Sequence, residues 1–139
     1  MNPDSSLLLE GSRVLVVEDD HLIAWDLAES LTEHGAQVLG PSNSVTAAMQ
    51  LLNDDHEPPP DVALLDLNLD GTESGYEVAK ELQARGIPFV ICSGYPASDT
   101  GPSAQDHINS ALHCEKPIDG SVLSAVLRSA LRTFRARHC

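Results

Sequence analysis

A chain of 139 residues with 42% hydrophobic content has material for one domain with a proper core, expected over residues 11–137 behind a loose N-terminal tail at 1–10. Its 21 acidic against 8 basic residues give a formal charge of −13. That sign argues against nucleic acid or an anionic membrane as a direct partner. Three cysteines without a CxxC pattern, no leader-like start and no window of membrane-spanning length point to a reducing, cytoplasmic setting.

Arg13 to Val17 is an apolar β run that ends on Glu18, Asp19 and Asp20. From Asp20 to His34 the spacing is helical, with Ile23, Leu27 and Leu31 on one stripe and Ala24 and Ala28 beside it. Asp20 is placed to cap this helix and Gly35 to end it, and Trp25 reads as a packing residue. Ala36 to Gly40 is a short strand, and Ser42 or Ser44 caps a helix running through Leu51 and Leu52. Pro58, Pro59 and Pro60 exclude helix and lead into the run Val62 to Leu65, which has no alternation and reads as a strand covered on both faces. It ends at Asp66, with Asn68 and Asp70 following at alternate positions.

Ser74 to Arg85 reads as a helix with Val78, Ala79 and Leu82 inward, closed by Gly86. Ile87 to Cys92 is a further apolar strand leading to Ser93 and Gly94. Ala97 to Asn109, with Gly101, Pro102 and a single large apolar residue, is a short or irregular helix at best. Ser110 to Cys114 is a fifth strand before Glu115, Lys116 and Pro117. A final helix after Asp119 carries Leu123, Leu127, Leu131 and Phe134 on one face. Arg128, Arg132, Arg135 and Arg137, half of all cations, lie in the last twelve residues and suit the negative end of its dipole.

Strands alternating with helical segments imply an α/β fold with a mainly parallel sheet and right-handed crossovers. Such a sheet gathers its polar strand ends on one edge: Glu18 and Asp19, Asp66, Ser93, and the turn with Lys116. Clustered carboxylates need a cation, and oxygen ligands suit Mg²⁺. Transfer of a phosphoryl group to a carboxylate needs the charge on its oxygens neutralised, by a metal on one side and a lysine on another. Two acids, a nucleophilic Asp66, a hydroxyl at Ser93 and an amine at Lys116 make a complete set for that chemistry.

In these motifs, Val-Leu-Val-Val-Glu18-Asp19, Asp66 at a strand end, Ser93-Gly94 and Lys116-Pro117, the chain resembles a response-regulator receiver domain of two-component signalling, over roughly residues 11 to 136. The resemblance implies a doubly wound five-stranded parallel sheet in the flavodoxin-like order 2-1-3-4-5. It makes Asp66 the phosphoacceptor, with Glu18, Asp19, Asp66 and the carbonyl of Asn68 holding Mg²⁺. Ser93 becomes the switch hydroxyl and Lys116 the phosphoryl contact, and a cis peptide is expected before Pro117. The implied donor is a histidine kinase or histidine phosphotransfer protein. Output would run through protein contacts with a further, unidentified protein, or the domain would act as a phosphate sink. The reading is of a stand-alone signalling domain, not an enzyme beyond its own phosphorylation and slow dephosphorylation.

The chain departs from the family pattern at several positions. Asp70 stands where a proline is frequent, Gly75 lies one residue late, and His113 replaces the usual aromatic switch. The stretch Ile87-Pro-Phe-Val-Ile-Cys-Ser-Gly-Tyr95 resembles an atypical subclass with a Pro-Phe…Ser-Gly-Tyr fourth strand and a reduced fourth helix, which makes Tyr95 a candidate for the switching role. Two rival readings exist. Asp66-x-Asn68-x-Asp70-Gly71-x5-Glu77 matches an EF-hand calcium loop, but such a loop follows a helix and here the approach reads as a strand. Asp-Gly-Thr at 70–72 resembles an aspartyl-phosphate phosphohydrolase loop, but the second acid is missing. The six histidines show no ligand spacing, so zinc is not expected.

Overall fold

The structure, a computed structural model, describes residues 9–54, 56–66, 75–93, 112–115 and 120–138, with side chains described except at 92, 93, 112–115, 120–122 and 133–138. Five strands, β1 (Arg13–Val17), β2 (Gln37–Ser42), β3 (Val62–Leu65), β4 (Phe89–Ser93) and β5 (Leu112–Glu115), form one sheet in the order β2-β1-β3-β4-β5. Every neighbouring pair is parallel. Among the described residues four helices connect or follow them: α1 (His21–Glu33), α2 (Val45–Leu52), α3 (Gly75–Ala84) and α4 (Gly120–His138). The expected irregular segment at 97–109, Asp119 as a cap and the cis peptide before Pro117 all lie outside the described residues.

Strand alternation sorts the core into two layers. Leu15, Val17, Ala63, Leu65, Phe89 and Ile91 face α2 and α3, meeting Ala48, Leu52, Val78, Ala79 and Leu82. Val14, Val16, Val62, Leu64 and Val90 face α1 and α4, meeting Leu27, Leu31, Leu123 and Leu127. With α-helices on both faces, β3 is buried at every residue, as its unbroken apolar run requires.

Local signals set the helix ends. The Asp20 side chain accepts hydrogen bonds from the amides of Leu22 and Ile23 at 3.0 and 3.1 Å. At the other end Gly35, at φ +90°, donates to Thr32 O while Ala36 donates to Leu31 O. That pair of bonds satisfies two orphan carbonyls, and the buried Ala36 and Leu31 share one core layer. The arrangement repeats after α3, where Gly86 donates to Gln83 O and Ile87 to Leu82 O. Ser44, rather than Ser42, caps α2, accepting from the Ala47 amide at 3.1 Å.

Four expectations are corrected. β2 does not stop at Gly40 but runs through Pro41 to Ser42, with a register shift against β1 between Leu15 and Val17. β4 begins at Phe89, because Ile87 is spent on the α3 exit and Pro88 only lends its carbonyl to the Ala63 amide. Leu9, expected in a loose tail, is fully buried, and its amide donates to His34 O. Trp25 is not a packing residue, with 63% of its surface exposed.

Candidate functional site

Two backbone bonds fix the acidic strand ends. The Asp66 amide donates to Val17 O at 2.9 Å, which carries the β1–β3 ladder one residue past β3. The Glu18 amide donates to Ser42 O, also at 2.9 Å, and so extends the β1–β2 pairing beyond the register shift. Glu18 and Asp66 are therefore neighbours at the carboxyl ends of adjacent parallel strands. That is the edge where open α/β sheets place their ligands.

Glu18 is 3% and Asp66 6% exposed, while Asp19 is half-buried. One carboxylate oxygen from each of the three lies within 4.8 Å of the others. The Glu18 carboxylate also accepts from the Asp20 amide at 3.1 Å, and Asp20 in turn caps α1, so the site and the first turn of α1 are built as one piece. Three hard oxygen donors drawn this close, two of them buried, fit a small divalent cation such as Mg²⁺ and no soft metal.

Of the sequence-derived site, Glu18, Asp19 and Asp66 are brought together. Ser93 is the last residue of β4, paired with Glu115 of β5, and Lys116 is the residue that follows Glu115 in the chain. Asn68, Asp70, Tyr95 and Lys116 lie outside the described residues, as does the side chain of Ser93. The element before Asp66 is the strand β3, so the helix that an EF-hand loop must follow is not there.

Sequence reasoning missed the part played by β2. Gly40, at φ +95°, turns the strand so that Ser42 can offer its carbonyl to Glu18. A Cβ on Gly40 would come within 2.6 Å of the Ser42 nitrogen. The pair Gly40-Pro41 reads as punctuation, and only the ladder on both sides reveals a bulge.

Comparison with known proteins agrees with this geometry. The family profile described as response regulator receiver domain matches residues 14–128. The transcriptional regulatory protein PdtaR of Mycobacterium tuberculosis is 30% identical over 126 residues, 88% of this chain and 58% of that protein. The phyllosphere-induced regulator PhyR of Methylorubrum extorquens is 27% identical over 123 residues, 87% of this chain and 44% of that protein. The chain thus spans about half the length of these curated relatives. Among solved structures, NtrX from Brucella abortus superposes with a TM-score of 0.76 at 27% identity, over 91% of this chain and 28% of that one. A CheY-like receiver domain protein from Methanospirillum hungatei gives 0.73 at 20% identity, over 91% and 98%, which speaks for the fold alone.

Proposed function

The chain belongs to the response regulator receiver domain family, and on that premise we propose that Asp66 accepts a phosphoryl group from a phosphohistidine of a histidine kinase or histidine phosphotransfer protein. The observation that carries the reading is the meeting of Glu18, Asp19 and Asp66 at the carboxyl ends of β1 and β3. A receiver is a signalling domain and not a classical enzyme, so the acylphosphate on Asp66 is the output of the chemistry.

In this reading a carboxylate oxygen of Asp66 attacks the donor phosphorus, the P–N bond breaks, and the histidine leaves with its electron pair and takes up a proton. Mg²⁺, held by Glu18, Asp19, Asp66 and the backbone carbonyl of Asn68, supplies neutralising charge to the phosphoryl oxygens when bound. Lys116 offsets the charge from the other side, and the Ser93 hydroxyl donates to a further phosphoryl oxygen. The β4–β5 register supports the pairing of these two roles, since Ser93 lies opposite Glu115, next in the chain to Lys116. Movement of Ser93, with Tyr95 in place of the usual aromatic, would carry the change to the surface of β4 and β5. Slow hydrolysis by water returns the carboxylate.

Incubation with acetyl phosphate and Mg²⁺, followed by intact-mass analysis, tests the proposal. Wild type is expected to gain one phosphoryl mass and Asp66→Asn none; no adduct on wild type, or an equal one on the variant, overturns it.

A further inference from the structure

Among the described residues, the exposed large apolar side chains are Leu22 at 80% and Trp25 at 63%, one turn apart at the start of α1. Glu29 and Glu33 continue the exposed surface down the same helix. Helix α4 packs beside α1 on this side of the sheet, and on it Arg132 is exposed and Arg128 partly so. None of these four charges has an ion-pair partner among the described residues, whose ion pairs are Arg13 with Glu57 and Arg85 with Glu81. One side of the molecule therefore presents an apolar knob beside acids and cations that have no ion-pair partner among the described residues.

We propose that this side is a self-association surface, on which two copies of the chain pair about a twofold axis with α1 of each against α4 of the other. Charge identifies the occupant. The last twelve residues hold half of all cations and no acid, while the preceding 127 carry a net −17. An acidic α1 calls for a basic partner surface and a basic α4 for an acidic one. A second copy supplies both, and a twofold axis makes each contact twice. The total charge of −13 opposes association. Physiological salt screens that long-range repulsion beyond about 8 Å, while pairs in contact and partly desolvated are screened much less. Leu22 and Trp25 gain burial that the monomer does not give them. This surface does not rest on the phosphoryl reading, because none of its residues is among those assigned to the metal or the phosphoryl group.

Charge reversal tests it. Sedimentation equilibrium in physiological salt is expected to show a dimer of the full chain at micromolar concentration, with the Trp25 emission shifting to shorter wavelength on association. Glu29→Arg and Arg132→Glu each place like charges across both contacts and are expected to raise the dissociation constant at least about tenfold. An equimolar mixture of the two variants is expected to restore the dimer as a heterodimer, since acid again faces base at both contacts. Both positions are on the surface, and circular dichroism checks the fold of each variant. A monomeric wild type, a dimer indifferent to both reversals, or a mixture that stays monomeric overturns the proposal.

Discussion

One oxygen from each of the Glu18, Asp19 and Asp66 carboxylates lies within 4.8 Å of the others, and like charges that close repel. Replacing one of them by its neutral isostere should release part of that repulsion. Asp66→Asn in chelator is expected to be more stable than wild type by about 1–3 kcal/mol, read as a higher melting temperature. The same variant is expected to lose most of the stabilisation that Mg²⁺ gives wild type. A variant that melts lower in chelator would mean that the cluster is held by partners stronger than its own repulsion. Gly40 is the other position where one atom decides. A methyl there must displace the Ser42 nitrogen, 2.6 Å away, from a backbone at φ +95°. Gly40→Ala is expected to cost about 2–3 kcal/mol in urea unfolding and to weaken Mg²⁺ binding, because the Ser42 carbonyl that holds the Glu18 amide moves with it.

The elements are tied to one another at the edge away from the acidic site. Arg85, just past α3, donates to Leu52 O and Glu81 Oε2 at 2.6 Å each and also bonds Asn53 Oδ1, so one guanidinium joins the exits of α2 and α3. At the start of β1 the Arg13 amide donates to Asp61 Oδ2 and the Asp61 amide to Arg13 O, both at 2.8 Å, which locks the approach to β3. Arg85→Ala is expected to destabilise by about 1 kcal/mol, with Arg85→Lys recovering little, since an ammonium cannot match three directions at once. Equal stability of wild type and Arg85→Ala would make the bridge incidental. The elements themselves were legible to the degree that they obey one rule at a time. The run Val62 to Leu65 and the stripe Leu27–Leu31 announced their partners because burial alone decides them. Ile87 misled because an apolar residue at a helix exit looks like the start of a strand. Leu9 misled because a single buried leucine has no period.

At the scale of the whole molecule, net charge sets how the fold responds to salt. A net −13 on 139 residues loads the folded state with self-repulsion, so added salt should raise the melting temperature. MgCl₂ is expected to raise it further than NaCl at matched ionic strength, by mass action on the site formed by Glu18, Asp19 and Asp66. Equal shifts in the two salts would mean screening alone. The candidate site was more legible than the surface. Acidic and hydroxyl residues at strand ends are placed by topology, which hydropathy reveals. Trp25 looked like core because most tryptophans are, and its exposure follows from α1 already burying Ala24, Leu27 and Leu31 on the opposite stripe. Alternating elements announced a parallel sheet and the family resemblance its strand order, but the β2 bulge that shapes the acidic corner had no signature apart from its ladder.

The bond from the Asp66 amide to Val17 O also bears on time. It closes the ladder between two central strands whose side chains are buried on both faces, so this amide should exchange with deuterium only when the whole sheet opens. If Asp66 is the acceptor, as proposed, a group anchored in this ladder would not itself travel when modified. On that reading the residue that records the signal would hold still, and the message would have to leave through the groups that come to it.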